Sequence, residues 1–208
     1  MVFVCGLFLS AAFVAGLFWE KRDGESAPKQ RAEPAEFTFA VEVEQVIQRK
    51  LSLMEELLRD GVIVQAVTKA NKAREYSLEE ILQLDDKWRA SEGVNEFIRP
   101  FLMNDVARRL MEFQEDYPGF SEIFVTDLNG LNVGQTNKTT DYYQADEDWW
   151  IGAFDGGEGK SFHGPIEFDE SSQVEAISLY APVRDPMSNK IIGVAKAVVS
   201  VAAIKLEL

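Results

Sequence analysis

Cysteine is almost missing from this chain. With Cys5 alone there is no intrachain disulfide and no Cys-rich metal site. Histidine is equally scarce: the single His163 rules out a His-based metal site and leaves no second histidine for relay chemistry. Basic residues are in deficit, 21 Lys and Arg against 35 Asp and Glu, and the resulting net charge of −14 opposes broad contact with phosphate backbones. Nucleic acid is therefore not an expected partner. There is no phosphate-binding glycine loop, no nucleophile elbow and no internal repeat. Paired acids offer acid and base groups in principle, but nothing else points to an enzyme, and no cofactor is expected.

Hydrophobic residues are plentiful, 46% of 208, enough for a sizeable core. Val2 to Trp19 holds no charged residue and ends at Glu20-Lys21-Arg22, close to the minimum length for a membrane-spanning helix. Residues 1–19 are read as a transmembrane anchor. A cleaved signal peptide and a soluble apolar helix are the alternatives, although a signal peptide usually carries a basic region and only Met1 precedes the apolar core here. Lys21, Arg22, Lys29 and Arg31 all follow the segment, which by the positive-inside rule favours a cytoplasmic C-terminal part; interspersed acids weaken that vote. Residues 20–36, with Pro28 and Pro34, form a juxtamembrane linker.

A helical stalk and subdomain are expected over residues 37–118. Val43, Val46, Ile47, Leu51, Met54, Leu57 and Leu58 recur at three- and four-residue steps, which predicts one amphipathic helix from Val41 to Lys72 with a kink or break near Asp60-Gly61. Ser77 and Glu80 have capping-box spacing at the head of a helix reaching Trp88. Phe97, Phe101, Leu102, Val106, Leu110 and Phe113 predict a further helix, with Pro100 in its first turn, ending before Tyr117-Pro118-Gly119.

After Gly119 the texture changes to short β-branched and aromatic runs. Ile123–Thr126 and Leu131–Thr136 read as a hairpin turning at Asn129-Gly130. A short helix is expected between Asp141 and Phe154, then strands over Lys160–Gly164, Val174–Val183 and Ile191–Ile204. The fold class is α+β: long N-terminal helices followed by a five-stranded antiparallel sheet over residues 119–208.

Several segments carry a resemblance: Phe124-Val-Thr-Asp-Leu-Asn-Gly130, Thr136-Asn-Lys-Thr-Thr-Asp-Tyr-Tyr143, Asp148-Trp-Trp150, Gly164-Pro-Ile-Glu-Phe-Asp169, Leu179-Tyr-Ala-Pro-Val183 and Ile192-Gly-Val194. In order and spacing they resemble the Cache superfamily, the PDC or extracytoplasmic PAS-like sensor domains. The resemblance covers about Gly119 to Ala203 as a single Cache domain. It implies a ligand pocket on one face of the sheet, lidded by an aromatic helix, in the input domain of a histidine kinase, chemoreceptor or cyclase. The soluble part would then be extracytoplasmic, or periplasmic. The strand ending close to Leu208 favours a fragment of a longer receptor, and helix movement would carry its signal.

The candidate ligand-binding residues are Tyr142, Tyr143, Asp148, Trp149, Trp150, His163, Asp169 and Tyr180. The aromatics provide ring faces with polar tips that suit a small ligand, or equally fill the core. The arginine that amino-acid-binding relatives place before the aromatic pair is absent from Gln144-Ala-Asp-Glu-Asp148. Asp141 through Val183 contains ten acids but only Lys160 as a basic residue. A cationic amine held by carboxylates and ring faces is therefore expected, with a divalent cation as the other reading. A homodimer through the long N-terminal helix is expected, and so is a membrane contact through Val2 to Trp19. The competing function is a stand-alone membrane-anchored interaction or oligomerisation module whose PAS-like core binds nothing.

Overall fold

The computed structural model describes residues 38–73, 75–169 and 174–208. The segments 1–19 and 20–36, assigned to an anchor and a linker, lie outside these residues. No described helix is long and apolar enough to cross a membrane. The described residues all fall in one compact unit.

The first long apolar stripe folds as two helices, α1 (Val41–Leu57) and α2 (Gly61–Ala73). The break falls where Gly61 lowers helix propensity. There the Asp60 carboxylate accepts the Val62 N–H at 2.8 Å and pairs with Arg109 Nε at 2.8 Å, so one residue starts α2 and anchors it. From α1, Val46, Ile47, Leu51, Met54 and Leu57 are buried on the face that meets the sheet. Cutting Met54 to Ala in this core costs ~2–5 kcal/mol.

Helix α3 (Leu78–Ala90) opens on the expected capping box: Ser77 Oγ accepts the Glu80 N–H, and Glu80 accepts the Ser77 N–H at 2.8 Å. The next stripe, expected as one helix, is divided into α4 (Arg99–Leu102), with Pro100 in its first turn, and α5 (Asp105–Asp116). The reason is Asn104. Its Oδ1 accepts the Ala107 N–H at 2.8 Å as an N-cap, while its amide donates to Val133 O at 2.7 Å, which pins the break to the sheet.

Five strands follow: β1 (Phe120–Thr126), β2 (Asn132–Gln135), β3 (Phe162–Asp169), β4 (Val174–Arg184) and β5 (Ile191–Ser200). All neighbours are antiparallel, in the order β2-β1-β5-β4-β3. The fold is the expected α+β arrangement of helices followed by a five-stranded antiparallel sheet. Helix α6 (Asp148–Phe154) connects β2 to β3, and α7 (Val201–Lys205) follows β5.

Three sequence expectations are corrected in extent. The helix expected from Asp141 begins only at Asp148, because residues 141–147 pack as a loop across the sheet edge. Strand β3 runs on to Asp169 through Pro165, tolerated because β3 is an edge strand whose register shifts between His163 and Ile166. Strand β5 stops at Ser200, whose Oγ accepts the Ala203 N–H at 3.2 Å and turns the chain into α7.

The sheet buries both faces. Ile177, Leu179, Ala181 and Val183 of β4, with Ala195, Ala197 and Val199 of β5, pack against α1, α2, α5 and α7. The alternate residues, Tyr180 and Val194 among them, pack under α6. Between α1 and the turn that follows α7, the buried Lys50 ammonium pairs with Glu207 and sits 5.7 Å from the centre of the Phe120 ring.

Candidate functional site

The site is built by register. Directly opposed residues of antiparallel strands share a face. Gln135 opposes Phe124, Phe124 opposes Lys196, Lys196 opposes Tyr180, and Tyr180 opposes Phe162. One row of five side chains thus crosses all five strands on the face covered by α6. Its middle is a half-buried lysine between two aromatic rings.

Helix α6 supplies the cover. Trp150 and Ala153 face inward at helical spacing, and Trp150 Nε1–H donates to Thr126 Oγ1 at 2.8 Å, whose own hydroxyl donates to Val194 O at 2.8 Å. That chain fixes the rotation of α6 on the sheet. The neighbouring Trp149 is thereby laid flat on Tyr180, with centroids 5.2 Å apart and planes at 16°, and edge-on to Phe124 at 5.8 Å. Lys196 Nζ lies 5.6 Å from the centre of the Trp149 ring, within cation-π range.

Electrostatics at the site follow from this packing. Burial raises the Tyr180 phenol to about 12, opposed in part by a hydrogen bond to Ser178 and reinforced by Glu167 and Glu147. The hydroxyl is a neutral donor across the ordinary pH range. Loss of hydration raises Glu147, the residue that precedes α6; Asp146 and Asp141 add to this, and the Lys196 charge opposes it. Tyr143 is raised by burial and by Asp146.

The structure brings only some of the expected site residues together. Trp149, Trp150 and Tyr180 meet in one cluster with Phe162. Tyr142 belongs to a separate one, stacked on Trp88 at 5.3 Å and meeting Phe101 edge-on at 5.3 Å. Tyr143 packs against that second cluster, and both tyrosine N–H groups are held by Asp85 Oδ1, at 2.8 and 3.0 Å. Asp148 is exposed in the first turn of α6.

His163 lies on the opposite face of the sheet. Its Nε2 is 3.1 Å from Glu44 Oε1 of α1, and its Nδ1 is 2.9 Å from Gly164 O. The backbone of Asp169 ends β3 opposite Val174, and its side chain is outside the described part. Among the described residues no group of three or more His, Cys, Asp or Glu is placed to hold a metal ion.

Sequence reasoning missed Lys196, Phe124 and Gln135. Gln135 is fully buried, and neither its Nε2 nor its Oε1 has a hydrogen-bond partner among the described residues.

No protein-family model matches the chain, and no curated protein matches it. Solved structures do resemble it, and they are sensory domains of chemoreceptors and histidine kinases. The ligand-binding domain of the Campylobacter jejuni chemoreceptor Tlp3, in complex with L-valine, is 14% identical over 82% of this chain and 68% of that one, with a TM-score of 0.40. The sensor domain of the V. cholerae histidine kinase DctB is 15% identical over 79% of this chain and 54% of that one, with a TM-score of 0.47. The ligand-binding domain of the Pseudomonas aeruginosa amino acid chemoreceptor PctC, in complex with GABA, is 12% identical over 76% of this chain and 67% of that one, with a TM-score of 0.37. The chain spans between about half and two thirds of the length of these three structures.

Proposed function

We propose that this chain is the extracytoplasmic small-molecule sensor of a membrane receptor of the histidine kinase, chemoreceptor or cyclase type. Val2 to Trp19 is its membrane anchor, and its ligand binds on the α6 face of the sheet. The observation that carries this reading is Lys196 at the centre of the cross-strand row, flanked by Phe124 and Tyr180 and covered by Trp149. A half-buried cation under a ring face, with a neutral hydroxyl beside it and the Glu147 carboxylate within electrostatic reach, makes an anion-receptive centre inside an aromatic enclosure. Three of the ten acids counted along the sequence, Asp146, Glu147 and Asp148, lie at the start of α6.

This arrangement favours a ligand with an anionic group over the cationic amine or divalent cation expected from the acid count. Binding would reposition Trp149 and α6. The same strands carry the α1 packing on their other face, so ligand occupancy would alter the seat of α1.

A thermal-shift screen of the purified chain in detergent tests the reading. Small carboxylates should raise the melting temperature of the wild type by mass action and should not do so for Lys196→Met. Stabilisation by amines alone would overturn it.

The outer face of α1 is the proposed dimer contact. It lines a groove of about 790 Å³ with Phe39, Val41, Gln45, Gln48 and Leu53 along its wall. Val41 is 67% exposed. Val41→Glu should shift sedimentation toward the monomer, and unchanged sedimentation would remove this contact.

A further inference from the structure

We infer that Gln135 sets the specificity of this face, by reading a neutral group on the ligand that both donates and accepts hydrogen bonds. The inference rests on the reading of the α6 face as the ligand site. Gln135 has no solvent exposure, and its carboxamide is unpartnered at both ends among the described residues. A buried carboxamide with an idle donor and an idle acceptor is rare in folded proteins and calls for a partner.

The direction of the side chain is fixed. At the preceding Gly134 a Cβ would lie 2.6 Å from Val106 Cβ and 2.9 Å from Asn104 Oδ1, so that position faces α5. Alternation then turns Gln135 to the α6 face, beside Phe124. The backbone around it is pinned: Asn104 donates to Val133 O at 2.7 Å, and the Thr136 N–H donates to Ile123 O at 2.9 Å.

The row places Gln135 two strands from Lys196, about 9–10 Å across the sheet. A small molecule with an anionic group at one end and a carboxamide or hydroxyl a few carbons away satisfies both residues. The anion meets Lys196. The neutral end forms a paired donor and acceptor contact with Gln135, which a purely apolar end cannot make.

The test uses the full chain in detergent with two probes, succinamate and butyrate, which share a carboxylate and differ in the terminal carboxamide. Calorimetry should show succinamate binding the wild type about tenfold more tightly than butyrate. Gln135→Met, close in shape and apolar, should bind both probes equally at the butyrate level, with an unliganded melting temperature no lower than wild type. Lys196→Met should weaken both probes alike.

If Lys196→Met weakens both probes while Gln135→Met keeps the wild-type preference, the ligand face stands and the role of Gln135 falls. A lower unliganded melting temperature with unchanged binding makes the carboxamide a structural group satisfied by buried water, and also overturns the inference. Binding of neither probe to the wild type, or of both equally to wild type and Lys196→Met, overturns the ligand face itself.

Discussion

Trp149 lies flat on Tyr180, with ring centroids 5.2 Å apart and planes at 16°. The stack closes the α6 face, and it rests on the hydrogen bond from Trp150 to Thr126 that sets the rotation of the helix. Trp149→Ala should lower stability by about 1–3 kcal/mol in urea denaturation, through lost ring area and pairing. A change below the measurement error would mean that the face is not closed in solution.

Tyr180 gives the domain an alkaline signature. Its phenol is raised from 10.0 to about 12, so the folded state holds the proton after the unfolded chain has begun to lose it. The contribution to stability is therefore complete below pH 10.0 and declines as pH rises toward about 12. Denaturation midpoints should fall across that window, and Tyr180→Phe should flatten the decline. An ultraviolet phenolate titration that finds every tyrosine ionising near 10.0 would contradict the burial.

An acid signature is expected on the opposite face. Burial pushes the Glu44 carboxyl up, but hydrogen bonds from Gln48 and His163 and the His163 charge outweigh it and leave the group lowered from 4.5. Its contribution is present above pH 4.5 and lost as pH falls through the lower folded value. Glu44→Gln should show a shallower loss of stability on acidification than wild type, read from urea midpoints over that range.

Asp85 holds the loop between β2 and α6. One carboxylate oxygen accepts the N–H groups of Tyr142 and Tyr143, and the other pairs with Arg89 at 2.7 Å. Asp85→Ala removes the shared acceptor of a buried and a half-buried N–H and should cost roughly 2–4 kcal/mol. Asp85→Asn keeps an acceptor and should cost less. Equal losses for the two variants in equilibrium denaturation would argue that the charge, and not the acceptor, is what matters.

The sequence expresses the fold where local rules act alone. Ser77 and Glu80 mark a helix start because a capping box closes within four residues, and Gly130, at φ 75°, marks a hairpin because few other residues take that backbone angle. The breaks at Met103 and Ser200 are less legible. Asn104 and Ser200 are polar residues inside apolar stripes, and only the sheet or the returning chain shows them acting as caps.

The site was legible in its cover and hidden in its floor. Asp148-Trp-Trp150 announces a dense aromatic helix, and Trp149 and Trp150 do lie on the sheet. Tyr142 departs to a second cluster because Trp88 and Phe101, distant in sequence, offer it a ring-lined seat. A charge count over Asp141–Val183 passes over Lys196 because β5 is central in space and last in sequence among the strands. Gln135 is concealed for a related reason: a polar residue at the end of a short edge strand reads as exposed, and its full burial shows only in the folded chain.

Lys50 joins two elements that are far apart along the chain. Its ammonium, 8% exposed, is held by Glu207, two residues past the end of α7, so α1 cannot slide against that chain end without stripping a nearly buried cation of its partner. Both helices rest on the same face of the sheet, so a displacement of α1 would load the chain end that follows α7 through this ion pair. The first and last described helices are thus tied together beside the strand where Phe120 begins the sheet.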